Sequence, residues 1–198
     1  MLGMSKRAFG MQNRRDQILQ AAVELFSAQG YLGTTVDEIA MRAKVTKRTV
    51  YHHMGSKEHI LFEIHSNFVS EGLAKLLAVA EDGGSVIEQL RNLIRAHIQT
   101  TTDHLKEIGV FFEEIKHLNE IDRVEITTQR SEYESIVQNL ITKGIETGEI
   151  RDMDARVATM VLLGGLTEIY RWYHVSDSVS TYTLTNLLTD IVLDGVRI

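Results

Sequence analysis

Lys47, Arg48, Thr49, Tyr51 and His52 gather two cations, two hydroxyls and an imidazole within six consecutive positions. On a short helix this set is poor core material and well suited to phosphate oxygens and base edges. The elements that must hold it are legible from their caps. Thr46 is predicted to cap a helix over 47–53, and Gly55-Ser56 breaks the chain behind it. Thr35 is placed to cap a preceding helix over 36–43, with Asp37 and Glu38 in its first turn and Ile39 and Ala40 facing inward. Two short helices joined by a three-residue turn match the helix-turn-helix, whose second helix enters the major groove of DNA. Seven residues do not hold a helix alone in water, so the second helix must pack on its neighbours, through Val45 and Val50.

Other candidate chemistry is thinner. His97 and His104 lie seven apart on one helix face, and Glu114-x-x-His117 has the spacing of half a di-iron carboxylate site. A full site needs a second such pair and two more inward glutamates. No second Glu-x-x-His occurs, so hydrogen-bonded or solvated histidine is expected, with no metal and no cofactor. The absence of cysteine removes disulfides, thiolate zinc sites and thiol redox sensing. There is no phosphate-binding loop, dinucleotide fingerprint or nucleophile elbow, so no catalytic residue is assigned and an enzyme is not expected.

The 198 residues contain no proline, where average usage would give roughly ten. That favours an all-α chain, and apolar spacing divides it into about nine helices. They are predicted near 13–29, 36–43, 47–53, 56–80, 85–104, 107–117, 120–147, 152–174 and 180–196. Gly30 is placed to stop the first and Gly148 to cap the seventh in the left-handed conformation. The longest charge-free apolar run, Val157 to Thr167, is too short to span a bilayer, and the first fifteen residues hold no apolar block. A cytoplasmic protein with no membrane partner is expected.

Charge is divided unevenly. Residues 1–57 hold nine Lys/Arg against four Asp/Glu, a net of +5. Residues 58–198 hold twelve against twenty-three, a net of −11, and the two sum to −6. A basic head that meets a polyanion and an acidic body that does not are the implied parts. The expected domains are therefore 1–57 and 58–198, with the fourth helix connecting them.

The stretch RRDQILQAAVELFSAQGYLGTTVDEIAMRAKVTKRTVYHHMGSKEHIL, Arg14 to Leu61, closely resembles the TetR family of bacterial transcriptional repressors. The matching pieces are A-x-x-L-F-x-x-x-G-Y at Ala22–Tyr31, T-T-V-x-x-I-A at Thr34–Ala40, and Tyr51-x-His53 followed by Lys57-Glu58. Met54 stands where the family usually has phenylalanine, and serves as an apolar plug. The resemblance implies that Thr35, Tyr51, His53 and Lys57 grip phosphates, that Lys47, Arg48, Thr49 and His52 read bases, and that Arg14 and Arg15 reach backbone or minor groove. The blander alternatives are that Tyr51 packs on the first helix and that individual cations are solvated surface.

For the body, the resemblance implies a homodimer on a palindromic operator and a pocket for a small hydrophobic effector. The dimer would form through the last two helices, with Leu162, Gly164, Gly165, Ile169, Leu184, Leu187, Leu188 and Ile191. Mid-helix Gly164-Gly165 costs about 1 kcal/mol per glycine relative to alanine, a cost that close approach of another helix could offset. Helix 8 ends in Tyr170-Arg171-Trp172-Tyr173. With the tail pattern L-x-D-I-V-L-D-G, it resembles a subgroup that senses acyl-CoA thioesters. Such a ligand needs cations for its phosphates and an apolar slot. Arg91, Arg95, Arg123, Arg130 and Arg171 are the candidate cations; Phe111, Phe112, Tyr133 and Trp172 are the candidate lining. A non-CoA lipid or aromatic drug is the alternative effector, and packing at the dimer interface is the alternative role of the aromatic run. Gly72 and Gly83-Gly84 are candidate hinges. A constitutive architectural DNA binder and a helical-bundle metal oxidase are the remote alternatives.

Overall fold

The computed structural model describes residues 6–80, 84–174 and 179–196, with side chains over 14–79, 84–174 and 179–195. Gly83, half of the Gly83-Gly84 candidate hinge, lies outside the described residues. Every regular element described is helical: α1 Lys6–Gly33, α2 Val36–Arg42, α3 Lys47–Met54, α4 Lys57–Ala80, α5 Val86–Asp103, α6 Leu105–Glu114, α7 Glu120–Thr147, α8 Ala155–Thr167, α9 Ile169–Trp172 and α10 Thr181–Val196, with a 3₁₀ turn at Ile115–His117. The chain forms two compact units. One comprises the described residues up to Phe68 with Lys106–Val124, and the other comprises Val69–Leu105 with the described residues from Glu125 on.

In the first unit, Ile18, Ala22 and Phe26 of α1 are buried with Ile39 of α2, Val50 and Met54 of α3, and Ile60 and Leu61 of α4. Met54, 1% exposed, is the apolar plug its position requires. Val45, expected inside, is only half-buried because it lies in the turn. Thr35 closes a capping box on Glu38, and Thr46 caps α3 by accepting from the Thr49 amide at 3.1 Å. The regular helix of α1 breaks at Gly30, whose φ of +77° a side chain would strain. The chain then turns so that Tyr31 meets Phe26 edge-on, with centroids 5.4 Å apart, and stacks on His117 at 5.3 Å.

In the second unit, Leu90, Leu93, Ile94 and Ile98 of α5 share a core with Val137 and Ile141 of α7, Leu166 of α8, Ile169 of α9, and Leu184 and Leu193 of α10. Gly148 ends α7 at φ +75°, as its position predicted. Gly144 is required by packing: a Cβ there would lie 2.5 Å from Ile150 Cδ1. The eighth predicted helix starts at Ala155, under the Asp154 cap, and is interrupted at Glu168 before α9. Apolar spacing runs unbroken through Leu166, Ile169 and Tyr173, so the pattern alone could not register the interruption.

Candidate functional site

The outward face of α3 carries the expected chemistry. Lys47, Arg48, Tyr51 and His52 are exposed, Tyr51 at 47%. Tyr51 is thus not consumed in packing on α1. Lys47 Nζ donates to Asp37 Oδ2 at 2.7 Å, a bond that raises its pKa; this exposed pair is cheap enough for a phosphate to replace. Thr49 lies half-buried, its hydroxyl 2.8 Å from that of Thr46, so its polar end serves the helix start. His53 is half-buried. Desolvation pushes its pKa down, with His52, Arg14 and Arg15 adding in the same direction, so at neutral pH it offers a neutral ring.

Three of the residues expected on the DNA face are engaged inside the protein. Thr35 donates its hydroxyl to Glu38 Oε2 at 2.8 Å within the capping box. Lys57 donates to the carbonyls of Tyr31 and Thr34, each at 2.8 Å, with its ammonium 4.1 Å over the Tyr31 ring. Burial lowers its pKa, and in this arrangement Lys57 staples the start of α4 to the end of α1. Arg15 is engaged in the same way. It pairs with the buried carboxylate of Glu63 and reaches the His53 carbonyl at 3.4 Å. Arg14 remains exposed. Sequence reasoning missed Glu63, which also accepts from His59 Nε2 at 2.8 Å; its spacing of four from His59 on one helix was the available signal.

The residues expected around an effector fall in both units. Phe111 is core of the first unit, 5.0 Å from the His65 ring and 5.6 Å from Phe68, with Phe112 against it at 4.9 Å. His65, buried beside it, has its ring nitrogens 2.8 Å from the Leu61 carbonyl and 3.2 Å from that of Phe111. Arg123 belongs to the same unit and is exposed. In the second unit, Arg91 reaches Asp190 at 3.3 Å and Arg95 reaches Asn186 at 3.4 Å, both tying α5 to α10. Arg130 pairs with Glu134 at 3.5 Å. Arg171 is held by Glu168 and by the hydroxyl of its neighbour Tyr170, and both it and Trp172 are exposed. Ion pairs with Asp190, Glu134 and Glu168, invisible to residue type, hold Arg91, Arg130 and Arg171.

Tyr133 is different. Its hydroxyl lies 2.7 Å from His97 Nδ1, giving His97 the hydrogen-bonded role that its sequence context favoured over metal binding. Desolvation drives the His97 imidazole to about 4 and pushes the Tyr133 phenol up, so both are neutral at physiological pH. Glu114 and His117, the other sequence candidates for a metal, lie 3.4 Å from each other. Among the described residues, no group of three His, Asp or Glu side chains is arranged to hold a metal ion.

The residues expected at a dimer interface divide by face. Leu162, Ile169 and Leu184 are 7%, 0% and 6% exposed and belong to their own core, because the helix turns them toward α5. Leu187 and Ile191 point outward, with Val157 and Val161 of α8, and of these four sequence reasoning missed Val157. Val161, Gly165, Leu188 and Ile191 line a groove of about 560 Å³ along α8 and α10. A Cβ on Gly164 or Gly165 would meet nothing within 4 Å, so neither glycine is demanded by packing within the chain. No helix among the described residues is long and apolar enough to cross a membrane.

Comparison with known proteins places these features in context. A family model described as "Bacterial regulatory proteins, tetR family" matches residues 18–64, and one described as "Tetracyclin repressor-like, C-terminal domain" matches residues 83–196. The chain is 27% identical over 189 residues to the HTH-type transcriptional repressor KstR2 of Rhodococcus jostii (strain RHA1), covering 94% of this chain and 93% of that one. It is 26% identical over 184 residues to the fatty acid metabolism regulator protein of Bacillus subtilis (strain 168), covering 91% and 94%. Among solved structures it matches AibR in complex with isovaleryl coenzyme A and operator DNA, with a TM-score of 0.82, 26% identity, and 90% and 97% of the two chains covered. It also matches a transcriptional regulator of the TetR/AcrR family from Thermobifida fusca YX-ER1, with a TM-score of 0.75, 35% identity, and 94% and 100% covered.

Proposed function

Because the chain belongs to the TetR family of bacterial regulatory proteins, and is thus a transcriptional regulator rather than an enzyme, we propose that it is a homodimeric repressor released from a palindromic operator by an acyl-CoA. The observation that carries the DNA-reading half is the outward face of α3, with Lys47, Arg48, Tyr51 and His52 exposed on a helix whose other side is sealed by Val50 and Met54. Arg48 and His52 read base edges, Lys47 exchanges Asp37 for a contact on DNA, and Tyr51 and neutral His53 donate to phosphates. Arg14 adds charge at the rim. Residues 1–57 form the reader, and residues 58–198 bind effector and partner, with α4 running between them.

A single reader covers one half-site, so two copies must sit roughly 34 Å apart along the duplex. The exposed apolar strip of α8 and α10 supports pairing there, and its open glycines suit close helix approach. The acyl-CoA reading draws support from the 26% identical AibR, whose solved complex contains isovaleryl coenzyme A and operator DNA. The likeness to a regulator of fatty acid metabolism points the same way. Half-buried Arg130 and exposed Arg171, both of the second unit, are the cations for the nucleotide phosphates. Effector binding favours a form in which the two α3 helices no longer match successive grooves, a population shift.

The test is operator release, followed by fluorescence anisotropy, against isovaleryl-CoA, octanoyl-CoA, the free acids and an aromatic drug panel. Release by an acyl-CoA alone is expected. Release by a drug and by no acyl-CoA would move the effector to the alternative class.

A further inference from the structure

The His97–Tyr133 pair has a geometry that specifies ligand chemistry. Both side chains retain accessible surface, yet protein surrounds them closely enough for desolvation to dominate their titration. α4 flanks the pair, since a Cβ on Gly72 would lie 3.9 Å from Tyr133 Cε2. One turn earlier on the face of α7 that carries Tyr133, Gln129 has a buried carboxamide oxygen with no hydrogen-bond partner. An orphaned buried acceptor of this kind requires an explanation.

The hydrogen-bond inventory narrows the occupant. If the phenol donates to Nδ1, the Nε2–H is left as a donor and the phenol oxygen can still accept. If Nδ1–H donates to the phenol oxygen, the phenol O–H becomes the free donor and Nε2 the acceptor. Either arrangement offers one neutral donor and one neutral acceptor. A carboxylate or phosphate entering here would lose its hydration and gain no countercharge from the pair. A ketone or thioester carbonyl could satisfy the donor but would leave the Gln129 oxygen unpaired. A hydroxyl or a secondary amide can satisfy both.

We propose that His97, Tyr133 and Gln129 form a recognition site for an uncharged group that both donates and accepts hydrogen bonds, a hydroxyl or a secondary amide, on an otherwise apolar effector. The proposal rests on the reading of this region as effector-binding. A hydroxylated acyl chain and the amide-bearing arm of coenzyme A both carry such a group, and so does a simple alcohol.

The full-length protein titrated calorimetrically with octanol, N-methyloctanamide, octanoate and octanoyl-CoA tests it. Octanol and N-methyloctanamide are expected to bind at least tenfold more tightly than octanoate. Tyr133→Phe and His97→Asn should each weaken the two neutral probes about tenfold while helical content by circular dichroism is retained. Gln129→Leu should weaken the same two probes. Tighter binding of octanoate, no binding of either neutral probe, or unchanged affinity in Tyr133→Phe would overturn the proposal. Binding of octanol without octanoyl-CoA would remove the acyl-CoA reading and leave this site standing. Binding of octanoyl-CoA and octanol undiminished in Tyr133→Phe would do the reverse.

Discussion

Arg15 and Glu63 are joined by an ion pair that ties α1 to α4, and the same guanidinium reaches the His53 carbonyl in the last turn of α3. Three helices thus meet at the Arg15 guanidinium, whose carboxylate partner His59 also engages. Glu63→Gln should cost about 1–2 kcal/mol of stability, Arg15 being partly solvated, and should loosen the seat of α3. Operator affinity should fall while the oligomeric state stays the same. Denaturant unfolding and anisotropy titration measure both quantities, and an unaltered midpoint would mean that water already screens the pair.

The face of α3 separates steric contact from charge. Tyr51→Ala should weaken operator binding at least tenfold with little loss of stability, because the ring is 47% exposed. Arg48→Ala should lower the slope of log affinity against log salt by about one if the guanidinium reaches a phosphate. An unchanged slope with altered sequence preference would place Arg48 on a base edge.

The two faces of α10 should respond in opposite ways. Ile191→Asp, at a position 67% exposed, should give a folded monomer in sedimentation velocity, and operator binding should fail with it. Leu184→Ala, at 6% exposed, should instead cost about 2–4 kcal/mol of folding stability. A dimer that survives Ile191→Asp would move the interface elsewhere.

Acid should destabilise the fold through its buried imidazoles. His97 titrates near 6.5 when unfolded and near 4 when folded, so between those values the unfolded chain holds the extra proton. Its contribution is therefore present above pH 6.5 and is lost as pH falls toward 4, amounting to about 3 kcal/mol at most. The depressed pKa values of His65 and His53 act in the same direction. Melting temperatures from pH 7.5 to 4.5 should fall less steeply for His97→Gln than for the parent. Parallel slopes would exclude His97 as a source of the acid sensitivity.

The helices and caps were legible because their signals are local. Thr35 and Thr46 each cap through a backbone amide three residues on, and the turns at Gly30 and Gly148 need φ values that glycine tolerates. The exposed face of α3 was legible too, because its apolar positions were few and regularly spaced. What residue type could not reveal was which charged partner each cation would find. Lys57 and Arg15 read as cations for DNA, and the fold turns one onto two carbonyls and the other onto a carboxylate forty-eight residues away. Nor does apolar periodicity separate Leu184, turned inward, from Leu187, turned outward: both belong to one hydrophobic helix, and only the position of α5 decides between them.

The apolar strip along α8 and α10 also bears on the order of events after synthesis. Val157, Val161, Leu187 and Ile191, all more than half exposed, would give up roughly 1.5–3 kcal/mol each by remaining in water instead of being fully buried. A newly made solitary chain therefore carries an adhesive seam, open to any apolar surface it meets. The safest route is for the seam to close on a twin before the search for an operator begins. Under that order, gene dosage and chain dilution govern how much functional regulator a cell holds, before any effector arrives.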